Sequence, residues 1–290
     1  MWQLLRAQLW AQLWALLWAL LWALLWALWA LLGALAALAA ASRWSSGALQ
    51  HHCKMALYTT CMGLVAFCML PACLCRGKNV LNLRIASRLG RHTKRLIGIT
   101  YTSLGGERMS GSGPCVIVSN HQSSLDFLGM MEFLPERGVL VAKREIMLYT
   151  GPFGLASYLC GTLFIDRRNP DRAKEAVAKF ARSLRPQDLR LWMFPEGTRN
   201  HGNDLLPFKR GAFHLAVQGQ VPIVPAVFSN YSSFYSKEKK IFKPGTITLT
   251  VLPPIPTAGL GASDVGPLAD RVRDVMMDVL RAEADKSKED

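Results

Sequence analysis

Asn120-His121-Gln122-Ser123-Ser124-Leu125-Asp126 puts an imidazole and a carboxylate on one short stretch, with four residues between them. If His121 sits in a turn and Asp126 in the first turn of a following helix, the carboxylate can come round to one ring nitrogen. That contact fixes the tautomer, favours the protonated ring and leaves the other nitrogen to accept a proton from a hydroxyl. A base positioned in this way is worth about 10²–10⁴ in rate. The same residues have a plainer reading, because Ser123-x-x-Asp126 also matches a capping box in which Asp126 only closes a helix end. The pair alone does not decide between them.

Three further stretches bring the functional groups that a lone pair lacks. Phe194-Pro195-Glu196-Gly197-Thr198-Arg199 offers a glycine that permits close approach of backbone to a ligand. Its Arg199 is a planar fork suited to phosphate oxygens, and Glu196 can orient that arginine or bind a substrate hydroxyl. Gly161-Thr162-Leu163-Phe164-Ile165-Asp166-Arg167 ends on another arginine, and Lys143 closes a fourth run. Taken singly, each cation reads as a solvated surface charge. Together they describe a phosphate pocket beside a His–Asp base. No H-E-x-x-H or Cys/His ligand cluster points to a metal, and no G-x-S-x-G elbow points to a serine hydrolase.

These stretches follow short apolar or β-branched runs, which the pattern assigns to strands near 98–103, 115–119, 138–142, 162–166, 189–194, 222–228 and 246–252. Helical periodicity falls near 123–134, 146–158, 170–184, 209–219 and 264–285. Asn169-Pro170-Asp171 supplies a cap residue and then proline at a first helical position. Alternation of this kind predicts an α/β domain over 98–285, with a largely parallel central sheet flanked by helices. Ligands gather at the carboxyl ends of such strands. Residues 147–165 are apolar enough to imitate a membrane span, but Gly151, Pro152 and Gly154 argue for packed structure there.

Ahead of this domain the composition changes. Residues 13–41 and 55–75 carry no charge, and each run reaches the ~20 apolar residues that cross a bilayer core as a helix. Trp10, Trp14, Trp18, Trp22 and Trp26 recur every fourth residue, so the stripe winds by about 40° per repeat and the helix is apolar on all sides. Residues 1–41 are therefore expected as a membrane anchor. A cleaved signal is the competitor, with Arg6 ahead of the run and Ala39-Ala40-Ala41 behind it. Residues 55–75 are expected as a second membrane helix, which puts the 42–54 segment in the lumen; a hairpin resting in one leaflet is the alternative.

Net charge is +14, and seven Lys or Arg fall in 76–95 with no acid among them. That block marks the cytosolic side by the positive-inside bias and suits anionic headgroups. Arg84, Arg88, Arg91 and Arg95 follow helical spacing, which predicts a basic interfacial helix over 76–97. Nucleic-acid binding is disfavoured because the charge abuts a membrane run and no nucleic-acid module follows. Seven cysteines form no C-x-x-C pair and no disulfide framework. By position Cys73 or Cys75 suits S-acylation, but buried small apolar residues are the ordinary reading.

NHQSSLD, GTLFIDR, FPEGTRN and VPIVPAV, in that order over about residues 98–255, resemble the 1-acylglycerol-3-phosphate acyltransferase family, also called lysophosphatidic acid acyltransferases. Asp204 to Phe213 resembles its eukaryotic endoplasmic-reticulum branch. The resemblance implies that His121 and Asp126 are the catalytic pair. It implies that Arg167, Glu196, Gly197, Thr198 and Arg199 bind the glycerol phosphate, with Lys143 a further contact, and that Val221–Val227 helps form an acyl-binding region. It further implies acyl-CoA as co-substrate with no cofactor or metal, lysophosphatidic acid as acceptor, membrane lipids as surroundings and no obligate protein partner. The expected location is the endoplasmic reticulum membrane, with the catalytic domain facing the cytosol. The tryptophan repeat departs from the composition expected of the family and bears on topology, not on chemistry. Competing readings are transfer to glycerol 3-phosphate or another lysophospholipid, hydrolysis of acyl-CoA or lipid esters, and lipid binding without catalysis.

Overall fold

The computed structural model describes residues 2–111, 113–202 and 204–289. Two long helices come first, α1 (Trp2–Trp44) and α2 (Gly47–Arg76), then two short ones, α3 (Asn82–Gly90) and α4 (Thr93–Ile97). The sheet-forming part runs β1 (Ile99–Leu104), α5 (Glu107–Gly111), β2 (Cys115–Ser119), α6 (Leu125–Glu132), β3 (Gly138–Lys143), α7 (Arg144–Tyr149), α8 (Pro152–Leu159) and β4 (Leu163–Ile165). It continues with α9 (Pro170–Leu184), β5 (Arg190–Met193), α10 (Gly211–Gly219) and β6 (Ile223–Phe228). A small hairpin of β7 (Tyr235–Ser236) and β8 (Ile241–Phe242) precedes β9 (Gly245–Val251) and α11 (Val265–Glu289).

Seven strands form one sheet in the order β1-β9-β6-β2-β5-β3-β4. Every pairing is parallel except β6 with β9. The period-2 alternation of the strands splits their side chains between two cores. Ile117, Leu140, Trp192 and Val224 face the side covered by α2, α6 and α8. Val116, Val118, Val139, Leu191 and Ile223 face the side covered by α9, α10 and α11. This is the largely parallel, helix-flanked sheet expected from the pattern, and the seven expected strands are its members. The β7–β8 hairpin was not expected; two strands of two residues each leave no periodicity to read.

Three helical expectations change. The 146–158 helix is two helices meeting at a corner, because Gly151 adopts φ +54° there and Gly154 is pressed against the carbonyls of Ile146 and Met147. The basic 76–97 helix is α3 and α4, interrupted after Gly90, which sits against the Met62 side chain. Its buried residues, Leu83, Ala86, Gly90, Thr93 and Ile97, face the domain, while Arg84 and Lys94 pair with Glu136 and Glu132.

The third change concerns α2. Both α1 and α2 are long and apolar enough to cross a membrane. The helices adjoin through Ser45 and Ser46 alone, so 42–54 is no separate loop. His51, Lys54, Tyr58, Met62, Ala66, Met69 and Cys73 are buried at helical spacing along one side of α2. His51 meets the Ile241 carbonyl at 3.2 Å, and Lys54 lies over the Phe242 ring. At the other end Cys73 joins the core that includes Leu159 and Cys160. Both ends of α2 therefore rest on one domain.

Candidate active site

Four adjacent parallel strands, β2, β5, β3 and β4, end at the same edge of the sheet, and each delivers one of the stretches read from the sequence. After β2, Asn120 and Gln122 turn away from His121 and clasp the end of β6. Asn120 Nδ2 donates to the Phe228 carbonyl at 2.9 Å and its Oδ1 accepts from Phe228 N–H at 2.8 Å. Gln122 Nε2 donates to the Ser229 carbonyl at 2.9 Å. His121, between them, is left facing the edge.

His121 Nδ1 lies 2.7 Å from Asp126 Oδ2, with the carboxylate fully buried and the imidazole 19% exposed. The same oxygen accepts the backbone N–H groups of Gln122 at 2.6 Å and Ser123 at 2.9 Å, and Leu125 N–H donates to Ser123 Oγ at 2.9 Å. The catalytic and capping readings thus hold together: one carboxylate closes the loop and orients the ring. Tyr231 completes the set. Its hydroxyl donates to Asp126 Oδ1 and lies 2.8 Å from Ser123 Oγ. Burial, and then the charge on Asp126, push that phenol well above its usual range, so it stays a donor. The Phe194 ring stacks on His121, with centroids 4.0 Å apart and planes 11° from parallel. Sequence reasoning missed both aromatics: each is a single residue whose role depends on a contact between distant loops.

His121, Lys143, Arg167, Gly197, Thr198 and Arg199 line one cavity of about 660 Å³. Among the described residues, no Asp or Glu lines it. Arg167 Nη1 donates to the Gly197 carbonyl at 2.5 Å, which ties the β4 end to the β5 end. Gly197 has φ +70°, and Lys209 crosses the space where a side chain would start. The site therefore offers several cations to an anion and a base to a hydroxyl nearby. A second chamber of about 630 Å³, mostly apolar, lies under α9 and α10 and shares Arg167, Phe194 and Gly197 with the first.

Glu196 stands apart. It is buried and lines neither chamber. Its Oε1 accepts His121 N–H at 2.9 Å; its Oε2 accepts Leu206 N–H at 3.0 Å and Asn200 Nδ2 at 3.3 Å. With Asn200 N–H donating to the His121 carbonyl at 2.7 Å, the two motif loops are stitched together. Most of Val221–Val227 is the interior strand β6, buried in the core, and none of it lines either chamber.

A largely parallel sheet brings a His–Asp pair and a cationic cleft to its carboxyl edge, and over this part of the chain, residues 101–229, the family model described as Acyltransferase matches. The solved 1-acyl-sn-glycerophosphate (LPA) acyltransferase PlsC of Thermotoga maritima shares the fold, with a TM-score of 0.57 and 21% identity over 69% of this chain and 80% of that one. Among relatives, the human 1-acyl-sn-glycerol-3-phosphate acyltransferase alpha is 51% identical over 79% of this chain and 80% of its own length. The human beta enzyme is 47% identical over 78% and 81%, and the Saccharomyces cerevisiae 1-acyl-sn-glycerol-3-phosphate acyltransferase 36% over 72% and 69%. The chain belongs to the 1-acyl-sn-glycerol-3-phosphate acyltransferase family.

Proposed function

We propose that this chain transfers an acyl group from acyl-CoA to the sn-2 hydroxyl of lysophosphatidic acid, giving phosphatidic acid. One observation carries the chemistry: His121 is held by Asp126 at 2.7 Å in the same cavity as Lys143, Arg167 and Arg199. The acceptor is supported by the names of relatives about half identical to this chain.

In this reading the cations and the Gly197–Arg199 backbone hold the phosphate and so present the hydroxyl to His121. Nε2 takes the hydroxyl proton as the oxygen attacks the thioester carbonyl, while Asp126 stabilises the imidazolium. The tetrahedral intermediate collapses with loss of the thiolate of CoA. That sulfur receives the proton from His121, which returns to neutral. No acyl-enzyme, metal or further cofactor enters the scheme.

The apolar helices associate the chain with a membrane. We place the domain on the cytosolic face of the endoplasmic reticulum, with α1 as anchor and the basic 76–95 block against anionic headgroups. The test is a membrane assay with labelled oleoyl-CoA and a panel of acceptors, run on wild type and His121→Ala. The expected result is transfer that depends on lysophosphatidic acid and falls by about 10²–10⁴ in the variant, which stays in the membrane fraction. Preference for glycerol 3-phosphate would change the acceptor. Thiol release without any acceptor would make the chain a hydrolase.

A further inference from the structure

The corner between α7 and α8 exposes four large side chains within eleven residues: Leu148 at 54%, Tyr149 at 80%, Leu155 at 43% and Tyr158 at 42%. Scattered exposed apolar residues are ordinary on a protein surface, but a cluster on one hairpin is not. The opposite side of the same hairpin is functional, since Ile146, Phe153 and Ser157 line the cavity that holds His121. The corner is also rigidly built. A Cβ on Gly154 would lie 2.5 Å from the Met147 carbonyl oxygen, so the two helices touch backbone to backbone.

What covers the outer side follows from its neighbours. Ala156 and Cys160 pack into the core that contains Met62, Ala66 and Met69, so the hairpin lies along α2, whose other side exposes Phe67 and Leu74. The Lys78 ammonium, just past the end of α2, sits 4.7 Å from the centre of the Tyr158 ring. Lys78 and Arg144 line one cavity with Tyr158, and Lys143, Arg167 and Arg168 stand at the same end of the hairpin, where α7 starts and β4 ends; Arg144 pairs with Asp166 and Arg168 with Glu145. Apolar and tyrosine side chains with cations at one end, continuous with the exposed apolar side of α2, match the headgroup region of an anionic bilayer.

We propose that the α7–α8 hairpin enters the bilayer surface, with Leu148, Tyr149, Leu155 and Tyr158 among the lipids, and so holds one wall of the catalytic cavity at the membrane. The inference rests on the lipid-acceptor reading above. Its consequence is that a membrane-resident acceptor reaches His121 without leaving the bilayer for water.

The test uses the full chain in phosphatidylcholine–phosphatidylserine vesicles, with Leu148→Asp combined with Tyr149→Asp. For oleoyl lysophosphatidic acid in the vesicles, kcat/KM should fall at least tenfold. For a hexanoyl acceptor dissolved as monomer it should change less than twofold, and Leu148→Ile with Tyr149→Phe should behave as wild type with both. Equal losses with both acceptors, or no loss with either, would overturn the proposal. A readout independent of activity places a photoreactive benzophenone side chain at position 149. Irradiation should give a phospholipid adduct there, and none when the group stands at Arg271 on α11, across the sheet. Absence of the adduct at 149 refutes insertion whatever the acceptor proves to be, whereas an adduct without any acyl transfer would refute the functional reading alone.

Discussion

Replacing Glu196 by Gln separates a carboxylate that positions the base from one that touches the substrate. The side chain is buried, and its two oxygens accept three N–H donors, one of them the backbone of His121. Gln keeps a single acceptor oxygen. If that oxygen stays with Leu206 and Asn200, the new amide nitrogen faces the His121 N–H, donor against donor. Losing a charge-assisted bond and stranding a buried N–H costs roughly 2–4 kcal/mol. For a domain of this size the midpoint of thermal unfolding should then fall by about 5–15 °C. The catalytic loop loses one of its ties to the β5 loop, so His121 drifts, and a displacement near 1 Å lowers kcat by about 100-fold. The assay is initial-rate kinetics with both substrates varied, together with thermal unfolding in detergent. Both kcat and Tm should drop while the KM for lysophosphatidic acid changes little. An unchanged Tm and kcat with a raised acceptor KM would refute this reasoning and return Glu196 to the substrate.

Arg199→Ala removes an exposed cation from the acceptor cavity, so the KM for lysophosphatidic acid should rise about tenfold with kcat little changed; a rise confined to the acyl-CoA KM would assign Arg199 to the other substrate. Gly197→Ala puts a Cβ at φ +70° and 2.8 Å from Lys209 Nζ, so about 1–2 kcal/mol of stability should be lost and acceptor binding should weaken together. Burial pushes the Cys115 and Cys160 thiols up from 9 to about 12, so neither should alkylate in the folded chain at pH 8, while both should once the chain is unfolded. The unfolded chain loses these two protons near pH 9 and the folded chain does not. Their contribution is therefore complete below pH 9 and lost as pH rises towards 12, by at most about 1.4 kcal/mol per thiol per pH unit.

The sheet and the cationic edge were legible because both are written locally. Each of β2, β3, β4 and β5 contains a short apolar run, and each functional group follows its own run, so strand direction alone brings His121, Lys143, Arg167 and Arg199 to one side. The function of Glu196 was not legible, because a glutamate beside an arginine in a loop looks the same in sequence whether it faces a cleft or a neighbouring loop. Tyr231 carries no spacing signal at all: it reaches Asp126 across 105 positions. The contacts of α2 with the domain were not legible for a different reason. Hydropathy measures how apolar a helix is, not what covers it, and lipid and a protein core give the same composition.

The docking of α2 along the domain changes what that helix does for the chemistry. Tyr58 of α2 donates to the Ser124 carbonyl at 2.8 Å, and Tyr101 of β1 donates to the Leu125 carbonyl at 2.8 Å. With Tyr231 on Asp126, three phenols from separate parts of the chain hold three consecutive residues, Ser124 to Asp126, at the start of α6 just after His121. A base whose carboxylate partner is fixed in this manner pays little reorganisation when the proton moves, which is where preorganised sites gain most of their advantage. Tyr58 also lines the cavity that holds His121. The apolar helix α2 is thus a wall of the site as well as its support, and a shift of α2 would be felt at Ser124, three residues from the imidazole.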